Sequence, residues 1–125
     1  FGTASDGNYH STEKHRNALE TWSSVALAFS RTTPANYSLS TSASQAFGSN
    51  MIQVDASPLR FAVYSGDLNQ DGTVDGTDLA LIDNDAANFV TGYVITDLTG
   101  DNFVDGTDYS IADNNAANFV NVIRP

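Results

Sequence analysis

Residues Asp67–Asp78 read DLNQDGTVDGTD, and thirty residues later Asp97–Asp108 read DLTGDNFVDGTD. The correspondence continues through Leu79–Val90 (LALIDNDAANFV) and Tyr109–Val120 (YSIADNNAANFV), so the chain carries an internal repeat with a period of 30 residues. Within each twelve-residue unit, oxygen-bearing side chains fall at positions 1, 3, 5, 9 and 12. They are Asp67, Asn69, Asp71, Asp75 and Asp78 in the first unit, and Asp97, Thr99, Asp101, Asp105 and Asp108 in the second. Position 7 adds a backbone carbonyl, from Thr73 and from Phe103. Asp commonly caps helices and forms turns, which accounts for Asp71-Gly72 and Asp75-Gly76 but not for four carboxylates at matched positions twice over.

That spacing is the ligand pattern of an EF-hand calcium loop, in which alternate residues of a tight curl point inward to offer a hard cation its six to eight oxygens. Gly72 at position 6 suits the left-handed turn such a curl needs, and Asn102, its counterpart, is among the side chains that best tolerate it. The expectation is two calcium ions per chain, with the second loop weaker because Thr99 and Asn102 replace Asn69 and Gly72. Val74 and Val104 at position 8 are expected to pair the loops through a short strand-like contact. Thr77 and Thr107 are expected to cap the following helices. Helical spacing would place Leu79, Ile82, Ala86 and Phe89 on one buried face, and Ile111, Ala112 and Phe119 on the other helix's.

The chain has 125 residues, 41% of them hydrophobic, and a net charge of −10, which suits a packed core and argues against phosphate-rich partners: no nucleic acid and no anionic membrane. No apolar run is long enough for membrane insertion. With no cysteine, disulfides, thiol chemistry and cysteine zinc sites are excluded. Eleven of the fifteen acidic residues lie between Asp67 and Asp113, whereas residues 1–65 hold four acidic and four basic groups. The charge and composition change near Ser65-Gly66 divides the chain into 1–65 and 66–125. The chain begins at Phe1, which suggests processing or missing upstream sequence.

Residues 1–65 read as short strands separated by turns. Val25, Leu27 and Phe29 alternate with small residues over Trp22–Phe29, and Tyr37 and Leu39 alternate again. Ser42–Phe47 suits a short helical turn, and Met51–Val54 and Arg60–Tyr64 suit two further strands. The expected fold class is α+β: a partial antiparallel β-sandwich followed by the pair of EF-hand-type loops, each with its helix. His15, Arg16, Glu20 and Trp22 form no recognised catalytic constellation, and a structural role with Trp22 in the core and Arg16 paired to Glu20 is favoured. The chain is therefore not expected to be an enzyme. Asn36-Tyr37-Ser38 matches the N-glycosylation pattern at Asn36.

The duplicated loops carry Asp rather than Glu at position 12 and are entered from the strand-like RFAVYS of Arg60–Ser65. In this they resemble dockerin type I modules over Gly66–Pro125. The resemblance implies one helix after each loop, near two-fold symmetry between the repeats, and docking onto a cohesin. It also implies partner contacts at positions 10 and 11, here Gly76, Thr77, Gly106 and Thr107. The Lys and Arg of cellulosomal dockerins are replaced here by Asp83–Asp85 and Asp113–Asn115. His15–Ser23 (HRNALETWS), Thr41–Gly48 and the run into Ser65-Gly66-Asp67 are similar to the C-terminal region of many secreted bacterial proteins. In those proteins a β-sandwich, with further strands upstream, leads into a dockerin-like repeat.

The functional expectation is an extracellular or cell-surface calcium-binding structural module that engages protein partners. Three versions stay open. The module could self-associate as a subunit or C-terminal part of a surface fibre or filament, dock as an adaptor on a cohesin-like partner, or serve as a non-catalytic appendage of a secreted hydrolase. Missing strands would leave an apolar face and an open edge for another chain to complete.

Overall fold

A computed structural model of the chain describes residues 4–125. It is mixed α+β, with small antiparallel sheets and two helices, and it divides into two compact units. Among the described residues, one unit comprises 4–13, Thr21–Ala62 and Ile123–Pro125; the other comprises Lys14–Glu20 and Val63–Val122. No described helix is long and apolar enough to cross a membrane.

The first unit holds six short strands, β1 (Gly7–Tyr9), β2 (Thr12–Glu13), β3 (Thr21–Trp22), β4 (Leu27–Phe29), β5 (Ile52–Ala56) and β6 (Leu59–Ala62). They pair antiparallel as β1 with β4, β2 with β3, and β5 with β6. The alternating run from Trp22 to Phe29 is not one strand. Ser23 Oγ donates to the Val25 carbonyl (2.8 Å), a local bond that competes with a continuous ladder, and accepts from the Ser11 N–H (3.0 Å). Val25 is left more than half exposed, and Trp22 is only partly buried. Tyr37 and Leu39 lie in irregular backbone, where the Tyr37 hydroxyl reaches the Gln45 carbonyl at 2.5 Å. The expected helical turn appears as two 3₁₀ turns, Ala43–Gln45 and Phe47–Ser49. Asn36 is exposed.

The second unit is built on α1 (Gly76–Ala87) and α2 (Gly106–Ala117). Each helix starts on a capping box. Asp75 and Asp105 are the N-caps, accepting from the N–H groups of Thr77 and Thr107, while Asp78 and Asp108 accept from the cap's own N–H. The caps are thus the position 9 aspartates and not the threonines. A side chain at the cap itself can reach the free N–H groups of the first turn, whereas Thr77 and Thr107 already lie inside it. Each helix ends at an asparagine, Asn88 or Asn118, followed by a phenylalanine in left-handed backbone: Phe89 at φ 53° and Phe119 at φ 55°. That turn carries both rings out of the helical face, and they are 87% and 83% exposed. Ile111 is exposed as well, whereas Leu79, Ile82, Ala86 and Ala112 do contribute to the core.

The loops do not pair with each other. The first pairs with the chain leaving α2: Val74 N–H donates to the Val120 carbonyl (2.9 Å) and Val122 N–H to the Gly72 carbonyl (2.8 Å). The second pairs in the same way with the chain leaving α1, through Val104 N–H to Val90 (3.1 Å) and Gly92 N–H to Asn102 (2.8 Å). Each repeat thereby closes the other's loop. Around these crossings Leu68, Ile82, Val104 and Ala112 form one buried cluster, and Leu19, Val74 and Val120 form a second.

Candidate metal centre

The twelve-residue loops fold into curls whose hydrogen bonds follow the ligand spacing. Gly72 and Asn102 adopt the left-handed turn at position 6, with φ of 90° and 71°. At position 1, Asp67 Oδ2 accepts from the Gly72 N–H (3.1 Å), and Asp97 Oδ2 accepts from the Asn102 N–H (3.0 Å). Asn69 Oδ1 accepts from Asp71 N–H, and Asp71 Oδ1 from Thr73 N–H, both at 2.9 Å; Asp101 Oδ1 does the same for Phe103 N–H. These steps wind the loop around its own polar groups.

At position 12, Asp78 and Asp108 are fully buried and tie each loop's start to its helix. Asp78 Oδ1 accepts from the N–H groups of Leu68 and Asn69, and its Oδ2 from that of Asp75. Asp108 does the same with Leu98, Thr99 and Asp105. Asp75 and Asp105 at position 9 are engaged as caps, and their carboxyls are held below the ordinary range by the threonine hydroxyl and N–H two residues on. A direct-ligand role for these two competes with capping.

The two loops differ at their first carboxylate. Both oxygens of Asp97 are hydrogen-bonded, Oδ1 by the Gly100 N–H (2.7 Å) and the Thr99 hydroxyl (3.3 Å). Burial pushes Asp97 upward, but these bonds and the Asn102 N–H outweigh it and hold its carboxyl below the ordinary value. Asp67 Oδ1, by contrast, is buried with no hydrogen-bond partner. Burial raises the Asp67 carboxyl, the charges of Asp78 and Asp71 raise it further, and the Gly72 N–H only partly offsets them. A buried carboxylate oxygen left bare beside two like charges is costly, and a cation is the partner that would satisfy it.

Among the described residues, no three Asp, Glu or His side chains converge as a ready-made metal cluster. The loop chemistry is accordingly a mixture of the buried Asp67 and Asp78 carboxylates, the Asn69 amide, the exposed Asp71 carboxylate and the peptide carbonyls. This all-oxygen donor set fits a hard cation and offers nothing soft. Gly76, Thr77, Gly106 and Thr107 are all exposed, with open space around both glycines.

Residues absent from the sequence-derived site also belong to this unit. The Lys14–Glu20 segment, read in sequence with residues 1–65, packs here. Leu19 is in the core beside Val74 and Val120. Glu20 is paired to Lys14 at 2.7 Å, not to Arg16. Arg16 instead lies over the Tyr93 ring, 3.7 Å from its centroid, and donates to the Val94 carbonyl. No sequence pattern pointed to this, because the segment lies outside the repeat.

No family model matches the chain, and neither does a curated protein or a solved structure.

Proposed function

We propose that the chain is a non-enzymatic, calcium-stabilised structural module that works outside the cell. The observation that carries this reading is the bare, buried Asp67 Oδ1 at the first position of a loop whose spacing is repeated thirty residues later. When bound, calcium supplies the positive charge that the crowded carboxylates lack. Asp67, Asn69, Asp71, Thr73 and Asp78 would hold it in the first loop, and Asp97, Thr99, Asp101, Phe103 and Asp108 in the second. Two ions would bring the net charge from −10 to about −6. Extracellular calcium modules bind at about 10⁻⁴–10⁻³ M, a range that suits a loop with Asp in place of Glu at position 12.

In this reading the first unit is the remnant of a β-sandwich, and the module assembles with protein partners. The exposed β5–β6 hairpin supports self-assembly, with Val54 60% and Leu59 48% exposed and each described ladder only two strands wide. The exposed Gly-Thr pairs favour a second reading, docking on a cohesin-like protein through Gly76, Thr77, Gly106 and Thr107. Calorimetry on chelator-stripped chain tests the metal reading: two calcium ions are expected, and none would overturn it. Sedimentation of the calcium-loaded chain separates the two assemblies. Self-association supports the first; a monomer that binds an immobilised cohesin supports the second.

A further inference from the structure

We infer that Lys14–Glu20 is a strap that couples the two calcium loops, with Asn17 as the shared link; this rests on the calcium reading. Asn17 is buried and bonds at the start of both loops, to the residue before position 1 in the first and to position 1 itself in the second. Its carbonyl accepts from the N–H of Gly66, the residue before Asp67, at 2.8 Å. Its Nδ2 donates to the backbone carbonyl of Asp97 at 3.1 Å. The side chain is itself fixed by a 2.8 Å contact between its Oδ1 and His15 Nδ1.

The neighbours of Asn17 extend the tie. Gln70, at position 4 of the first loop, donates through Nε2 to the carbonyls of Ala18 (3.3 Å) and Asp67 (2.5 Å). Leu19 N–H donates to the Tyr64 carbonyl at 2.8 Å, and its side chain packs on Val74 and Val120, where the first loop meets the chain leaving α2. At the other end, Arg16 holds Tyr93 and Val94 just before the second loop.

The physical consequence follows from linkage. Closing either loop around a cation fixes the backbone at the loop's start, where Asn17 is bonded. The strap is then ordered at less entropic cost for the second site, so each ion favours the other. Couplings of this kind usually run from about 5- to 150-fold in affinity.

The test compares calcium calorimetry of the parent chain with Asn17→Asp, which keeps the shape but removes the Nδ2 donor, and with Gln70→Ala, an exposed truncation that opens no cavity. Asp101→Ala, alone and combined with Asn17→Asp, disables the second loop. In the parent, Asp101→Ala should weaken the remaining site by about 5-fold or more. In the Asn17→Asp background it should weaken that site no further. Calcium should also slow tryptic cleavage after Lys14 and Arg16 in the parent and do so less in Asn17→Asp and Gln70→Ala. If the parent binds two ions and both variants keep its affinities and its tryptic protection, the strap is overturned and the calcium reading stands. If the unmodified parent binds no calcium, both fall together.

Discussion

Gly72 and Val122 fit together because one has no side chain: a Cβ on Gly72 would lie 2.8 Å from Val122 Cγ1. At the equivalent crossing of the second repeat the sizes are reversed. There Asn102 bonds to Gly92, whose own Cβ position is open space. The small residue sits on the loop in one repeat and on the exit from the helix in the other. Gly72→Asn should therefore destabilise the second unit by about 1–3 kcal/mol through overpacking, although Asn is accepted at the matching position 102. Adding Val122→Gly should recover part of that loss, giving a non-additive double-mutant cycle by urea denaturation. Additive losses would show that the two positions do not share the constraint.

Phe89 and Phe119 should be replaceable by glycine with a gain. Both hold left-handed backbone one residue past the end of a helix, where glycine is the favoured residue, and both rings are more than four-fifths exposed. A left-handed non-glycine residue costs about 1–2 kcal/mol, part of which glycine gives back as unfolded-state entropy. Each substitution should raise the denaturation midpoint modestly. A clear fall would mean that the rings do pack, as helical periodicity alone suggests.

Those two phenylalanines mark where the sequence stops being informative. The repeat, the loop curl and the helix following each loop are all local patterns, set by residue spacing along the chain. Phe89 sits at helical spacing from Ile82 and Ala86, but the helix ends one residue before it and the spacing no longer applies. The crossed pairing of Val74 with Val120 and of Val104 with Val90 joins distant residues, so position 8 alone could not choose between it and a direct loop–loop contact. Asn17 and Leu19 lie in a segment with neither repeat nor charge pattern, and only tertiary packing brings them to the loops. In the first unit, the Ser23 side chain bonding to the Val25 carbonyl breaks an alternation that would otherwise read as one strand.

The two position 1 aspartates should respond oppositely to loss of charge when calcium is removed. Asp97 lies below its unfolded pKa, so its stabilising contribution is full above the unfolded value and is lost as pH falls through the folded one. Asp67 lies above its unfolded value, so its contribution is full below that value and is lost as pH rises through the folded one. At neutral pH in chelator, Asp67→Asn should raise the melting temperature and Asp97→Asn should lower it. Carboxyl NMR titration of the chelated chain should show Asp67 titrating above Asp97. The reverse order, or two substitutions of the same sign, would contradict the difference between the loops.

Leu19→Ala should damage the acidic unit although Leu19 lies far from it in sequence. Its side chain is 1% exposed and fills the cluster with Val74 and Val120. Truncating a leucine in such a site costs about 2–5 kcal/mol, depending on how far the surroundings collapse. The loss should appear in the helical circular dichroism melt, which reports on α1 and α2. An unchanged melt would show that Leu19 is not part of that unit's core.

Calcium removal should lower the stability of the second unit. Its buried apolar residues are few and mostly small, chiefly Leu19, Leu68, Val74, Ile82, Val104, Ala112 and Val120, so packing leaves little margin against the repulsion within two Asp-rich loops. Binding to the folded state alone adds about 2.7 kcal/mol per site at a hundredfold excess over the dissociation constant, enough to decide whether so small a core stays folded. Chelation should therefore lower the melting temperature of the helical signal and speed proteolysis of 66–122, and added calcium should restore both. Magnesium should rescue poorly, because it demands near-octahedral geometry and gives up its waters reluctantly, whereas loops built from amide, carboxylate and peptide oxygens suit a larger, more permissive ion. Identical melting and digestion with calcium, with magnesium and with chelator would show that the fold stands without a cation and that the Asp-rich loops are held by their own hydrogen bonds.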